Sequence, residues 1–331
     1  MTFETGTATG PEDLLTKLET FIQSVSPQGF TIERAMSAAS PYDFAISDGA
    51  NLHVQLHGNG QTDRIYVHQS TGFDGSGVPN EPGQSQTSIT NGHEINRMTG
   101  PYTAYFFYAN FDPAVGPLYV NVVVEFNAGE YRHFGFGQIE KFGTYSGGEY
   151  SHGHFWDVGS QDDINAVAHR VGFDGIGTTG NTNRSRMFLD VPTLSGWNGV
   201  VESPQSQWGC PSNSSHGLDP SGANFMRIQW SSRQAYYMHH FYEVGGSSQF
   251  NGFKPMMPIL CWLIDDDPNP DEYYLLGFAK DVRDISMDGV LSGQQLTIGG
   301  DLWDVYPVGK KSLVTGSEIT GLWGRAYKRI V

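Results

Sequence analysis

Apolar positions recur with a helical period in one early stretch. Leu14, Leu15, Leu18, Phe21 and Ile22 form a single stripe, which predicts an amphipathic helix packed on one face. Gly10 suits the N-cap and Pro11 the first helical position, where its missing N–H is harmless. Glu12 and Asp13 lie at the positive end of the dipole, and Pro27 to Gly29 ends the helix. From Phe30 the period shortens. FTIERAM, YDFAISD, NLHVQLHG and DRIYVHQS read as four strands separated by Pro41, Asp48-Gly49 and Gly58-Asn59-Gly60. Helix and strands together predict a small α+β module over residues 1–72.

Residues 73–100 are polar, turn-rich and without a stripe, which predicts an extended arm or linker, more easily ordered by a neighbouring subunit than by its own chain. Residues 101–331 then read as a β-rich body. YTAYFFYANF and LYVNVVVEF are nearly continuous runs of β-branched and aromatic residues, so strands covered on both faces are expected. DDINAVAH (162–169) suits one short helix inside an irregular insert at about residues 157–222. NFMRIQW and AYYMHHFYEV suggest further strands. PILCWLID and EYYLLGFAK flank DDPNPD as a hairpin, Gly299-Gly300 turns a second hairpin in QLTIGGDLWDVYPV, and GLWGRAYKRIV supplies a closing strand. The expected fold is mainly β, with the N-terminal α+β module and antiparallel sheets in a β-sandwich-like body. No repeat at a solenoid or propeller period is present.

The densest stretch runs from Tyr131 to Trp156. It sets eight aromatic rings and three histidines among glycines, with almost no aliphatic filler. Glycine costs about 1 kcal/mol relative to alanine in a helix interior, so short strands, bulges and turns are predicted there. Rings on such a frame serve interfaces or fill a thin core. Tyr145, Tyr150, His152, His154, Phe155 and Trp156 are the interface candidates.

Composition narrows the function. With 42 Gly, 20 Phe, 16 Tyr and 7 Trp, many short strands and tight turns are expected. A net charge of −16 argues against a nucleic-acid partner, because phosphate affinity comes from lysine and arginine displacing counterions. Cys210 and Cys261 form no disulfide framework and have no metal-ligand spacing, as suits a reducing cytoplasm. The N-terminal MTFETGTATG lacks the regions of a secretory signal, and the longest apolar run, Pro258 to Ile264, is far too short to span a bilayer, so a soluble product is expected.

Local chemical motifs each meet a plainer reading. Gly175-Ile176-Gly177-Thr178-Thr179-Gly180 matches G-x-G-x-x-G, but NTNRSR follows where a phosphate-binding helix would have to start. Asp265, Asp267, Asn269 and Asp271 alternate as calcium-loop ligands do. Pro270 and Leu276 stand where that loop needs glycine and glutamate, and a solvated hairpin tip is expected instead. His152 and His154 are weak metal candidates, with His133 or His239 as a third ligand; no metal or cofactor is expected. No catalytic residue is assigned: no serine lies in G-x-S-x-G, and neither cysteine has a nucleophile signature. Two carboxylates could still meet in the fold to hydrolyse a glycan, or aromatic rings and carboxylates could bind one.

GTATGPEDLLTKLETFI at the start, HFGFGQIEKFGTYSGGEYSHG in the middle, and IGGDLWDVYPVGKKS with GLWGRAYKR at the end resemble landmarks of virion structural proteins of tailed bacteriophages. The resemblance covers the chain in outline and is least over residues 157–222. It implies a multi-copy, tail-associated part at a baseplate, neck or tail tip, made in the host cytoplasm and carried in the virion. It implies homo-oligomeric contacts and other virion proteins as partners, and no catalytic residues. A host-surface glycan is the partner of the alternative reading, a receptor- or glycan-binding module, with a glycan hydrolase as the third.

Overall fold

The computed structural model describes residues 3–25, 29–38, 42–50, 52–58, 62–77, 80–83, 93–95, 98–154, 171–172, 186–190, 226–230, 256–265, 272–287, 289–310 and 323–330. In chain order the elements begin with Phe3–Ala8 (β1), Pro11–Val25 (α1), Thr31–Arg34 (β2), Asp43–Ser47 (β3), His53–His57 (β4), Ile65–Ser70 (β5) and His93–Ile95 (β6). The central strands are Tyr102–Asn110 (β7), Tyr119–Asn127 (β8), Glu130–Gln138 (β9), Glu140–Lys141 (β10), Ser146–His154 (β11), Val171–Gly172 (β12), Arg186–Asp190 (β13) and Met226–Trp230 (β14). The last are Met256–Asp265 (β15), Glu272–Ser286 (β16), Gln294–Ile298 (β17), Asp301–Pro307 (β18), Gly309–Lys310 (β19) and Trp323–Arg329 (β20).

The strands form three antiparallel sheets. The central one runs β1-β7-β8-β9-β11-β12, with β13 and β19 attached to β11 and β9. Because side chains alternate across a strand, each central strand feeds two cores. Phe107, Ala109, Val120, Val122, Val124, Phe134 and Phe136 point to one face, where they meet the apolar stripe of α1 and the inner residues of the five-stranded sheet β2-β3-β4-β5-β6. Tyr108, Val123, Tyr131 and Tyr150 point to the other face, against the seven-stranded sheet β14-β15-β16-β20-β18-β17 with β10. This double coverage is why β7 and β8 read as uninterrupted apolar runs.

The α1 helix occupies the predicted positions, with Leu14, Leu15, Leu18, Phe21 and Ile22 buried. Asp13 reaches back to accept the Thr9 amide at 2.8 Å and pairs with Lys17 one turn on. The first core crosses residue 72. It joins Leu18 and Phe44 to Phe107 and Phe134, and β1 pairs with β7 as an edge of the central sheet.

The expected arm differs in the described residues between 72 and 100, which fold against their own chain. Ile95 and Met98 are fully buried in the first core, and β6 closes the five-stranded sheet. Glu81, itself buried, accepts the amides of Asp74 and Gly77, both at 2.8 Å, and faces Arg34 at 3.8 Å. A turn-rich composition concealed these anchors because one acid and two apolar residues make no periodic pattern. Glu81→Ala removes a charged acceptor from two amides, each bond worth about 1.5–3 kcal/mol. Amide exchange measured over residues 72–77 should therefore quicken at least tenfold, while exchange in β7 and β8 stays as in the parent chain.

Candidate contact surface

The aromatic block lies at the meeting of the central and seven-stranded sheets. The β9 and β11 strands pair with each other, Tyr150 opposite Gly137 and His152 opposite Gly135. Glycine is required at 135 because a Cβ there would lie 2.5 Å from the Val120 carbonyl oxygen and 2.7 Å from both Asn121 Oδ1 and His152 Nε2. In that space His152 Nε2 donates to Asn121 Oδ1 at 2.9 Å, and its ring stacks on Tyr150. Tyr150 and His152 are fully buried within the single chain, so these two interface candidates belong to the core. The glycine thus makes room over the β9 backbone for His152 to reach across to Asn121 within the central sheet.

His133 occupies the same layer. Its Nε2 is 2.9 Å from the Pro307 carbonyl oxygen, which only accepts, so Nε2 carries the proton and Nδ1 accepts the Tyr327 hydroxyl at 2.8 Å. Burial, with Arg325 close by, pushes the imidazole down to about 3, so the ring is neutral at ordinary pH. Burial also raises the Tyr327 phenol, to about 12. Both ring nitrogens of His133 are engaged inside the chain, so it is not the third metal ligand considered for His152. Among the described residues no three His, Cys, Asp or Glu side chains group as a metal site.

Around these rings runs a buried polar seam. Tyr108 donates to Asp304 Oδ2 at 2.7 Å and shares a 2.7 Å hydroxyl contact with Tyr306, whose proton must therefore point to Tyr108. Arg329 donates to the same Asp304 oxygen while its guanidinium covers the Phe3 ring, tying β1 to the seven-stranded sheet. Tyr119 donates to Asp281, a non-glycine residue at φ 57°, placed where the β15–β16 register shifts. Chemically the seam is a set of directional bonds that fixes the register of two sheets.

Neither a family model nor a curated protein matches this chain.

The block meets solvent at the connection between β10 and β11. Phe142 is 55% exposed, its amide donates to the Leu276 carbonyl at 2.9 Å, and its ring rests on Phe278 at 5.5 Å. Tyr145 is half-buried and donates its hydroxyl to the same Leu276 carbonyl at 3.0 Å. On β16 beside that carbonyl, Tyr274 and Leu275 are 47% and 37% exposed. A Cβ at Gly277 would stand 2.1 Å from the Glu140 carbonyl oxygen, so glycine there allows β10 to lie on β16. Sequence reading missed Tyr274 and Leu275 as surface groups because EYYLLGF resembles a buried strand. Of the other interface candidates, the His154 side chain, Phe155 and Trp156 lie outside the described residues, as do His239, the glycine motif at 175–180, Asp267 to Asp271 and the expected helix at 162–169.

A groove of about 750 Å³ opens at the start of α1, lined by Thr9, Pro11, Glu12, Asp13, Tyr42 and Thr62 among others. The Glu12 carboxylate beside Tyr42 raises the phenol pKa. No helix among the described residues is long and apolar enough to cross a membrane.

Proposed function

We propose that this chain is a multi-copy structural part of a tailed-phage particle, held in a tail, baseplate or neck by contacts between subunits. The observation that carries the reading is the exposure of the large apolar side chains Phe142, Tyr274 and Leu275 near where β10 lies on β16, on a frame whose interior is locked by buried hydrogen bonds. Large rings held on rigid strands lose little freedom when a neighbour covers them, which is the economy a repeated contact needs. The resemblance to tailed-phage virion proteins points the same way.

The test is quantitative protein composition of intact particles, followed by the triple substitution Phe142→Ser, Tyr274→Ser and Leu275→Ser. A fixed copy number is expected for the parent chain. The variant should fold with an unchanged melting temperature, within about 2 °C because exposed positions contribute little to stability, and should fall at least tenfold in particles. Absence of the parent chain from finished particles sinks the reading; undiminished incorporation of the folded variant removes this patch from it.

A second reading, a glycan-binding module on the virion, is favoured by the groove at α1, where threonine hydroxyls, two carboxylates and Tyr42 suit sugar hydroxyls and a sugar face. It predicts that the purified chain binds host cells and that Tyr42→Ala with Glu12→Gln abolishes the binding.

A further inference from the structure

The seven-stranded sheet ends in β17, a five-residue edge strand. Natural edge strands are blunted by charge, proline or a bulge that twists the edge away. From Val290 to Gly300 the chain has no ionisable residue and no proline, in a protein of net charge −16. Among the described strands β17 pairs only with β18. Ile298 is 45% exposed and Leu291 72%, while Leu296 is partly buried against the third core.

The hairpin geometry says which backbone groups face outward. Gly299 and Gly300, at φ 62° and 92°, make a two-residue turn, so the Ile298–Asp301 pair that closes it is hydrogen-bonded. Alternation along an antiparallel ladder then turns the N–H and C=O of Ile298 and Leu296 toward β18, while the Gln294 N–H closes a turn onto the Leu291 carbonyl at 3.0 Å. At the far end Gly293, at φ 73°, donates to the Val305 carbonyl at 2.7 Å beside the Gln294–Val305 pair, which fits the same phase. The N–H and C=O groups of Gln295 and Thr297 therefore point away from the sheet.

We infer that β17 is a pairing edge for a second copy of this chain, aligned antiparallel about a two-fold axis through Leu296. In that register Gln295 of one copy opposes Thr297 of the other, twice, and the outward groups of both residues are satisfied by four hydrogen bonds. The two Leu296 residues form the non-hydrogen-bonded pair between them, where side chains come closest. Ile298 of each copy comes to lie beside Gln294 of the other, extending the third core across the junction. A second copy is the occupant that charge favours, because two strongly acidic chains repel over most of their surfaces and this edge is neutral. The inference rests on the reading of the chain as a multi-copy part. A five-residue strand covers much less than the roughly 1,200 Å² of a stable interface, so the contact is weak alone and gains strength from the other contacts of an assembly.

Single cysteines at consecutive positions test the register in the purified full chain under oxidised glutathione. Across a non-hydrogen-bonded pair the Cα atoms are about 4.5 Å apart, within disulfide reach. Leu296→Cys should give disulfide-linked dimer at least tenfold above Gln295→Cys, Thr297→Cys and the parent chain. Mixing Gln295→Cys with Thr297→Cys should give linked dimer that neither gives alone. Adding Thr297→Pro to the Leu296→Cys chain removes an outward N–H without touching the β17–β18 ladder, so it should abolish the link and leave the melting temperature unchanged. Equal linking at all three positions, or none at 296, overturns the inference. So does an undiminished link in the folded proline variant. These outcomes leave the particle-composition test untouched, so loss of the edge and loss of the structural reading are separate results.

Discussion

Gly135→Ala is expected to destabilise the chain by about 3 kcal/mol or more, at the upper end of what overpacking does to a tight interior. The added methyl would meet the Val120 carbonyl oxygen at 2.5 Å, and that oxygen belongs to a strand hydrogen-bonded on both sides. It would also meet Asn121 and His152 across the bond they share, so relief by moving either side chain forfeits a buried hydrogen bond. Urea unfolding monitored by tyrosine and tryptophan fluorescence gives the measure, as a lowered midpoint with an unchanged slope. His152→Ala added to Gly135→Ala should restore little, because the backbone oxygen remains. Full recovery in the double variant would mean that the clash is with side chains alone, and a Gly135→Ala chain as stable as the parent would refute the close approach of β8, β9 and β11.

The position of Gly135 shows what periodicity can and cannot disclose. Alternation in FTIERAM, YDFAISD, NLHVQLHG and DRIYVHQS was legible because a sheet with one face toward a core writes a two-residue period into its strands. The two hairpins were legible because the Gly299-Gly300 pair turns one and the polar DDPNPD separates the strands of the other. The β7 and β8 runs correctly announced strands buried on both faces, which is the mark of the middle of three layers.

What stayed hidden depends on partners far apart in sequence. Tyr150 and His152 look like surface rings beside glycines, yet β8 and the seven-stranded sheet arrive to cover them, Tyr119 and Asp281 being 162 residues apart and Tyr108 and Asp304 196. No local pattern encodes such a meeting. The exposure of Tyr274 was hidden for the opposite reason: it sits in the strand-like apolar run EYYLLGF yet is 47% exposed. The place of β17 at the edge of the described strands depended likewise on strand order, since QQLTI reads the same in a central strand as at an edge. Charge supplies a hint, because the stretch from Val290 to Gly300 has no ionisable residue in a chain of net charge −16.

A large pH effect should come from His133. With its folded value held at about 3 and an ordinary unfolded value of about 6.5, the unfolded chain binds one more proton than the native chain between those limits. Stability from this group is therefore complete above about pH 6.5 and is lost as pH falls, by about 1.4 kcal/mol per pH unit, until the folded value is reached. Substituting His133→Phe keeps a ring in the layer but strands the Tyr327 hydroxyl and the Pro307 carbonyl, each at about 1–3 kcal/mol. The variant should thus be clearly weaker at pH 7.5. Its unfolding free energy should fall less steeply on acidification, by about one proton, so that the two curves converge toward pH 5. Parallel curves from pH 7.5 to 4.5 would show that His133 takes up its proton in the folded state, and the neutral imidazole bridging Tyr327 and Pro307 would have to be abandoned. Convergence would instead place the neutral imidazole between Tyr327 and Pro307 in the folded chain, with its proton taken up only on unfolding.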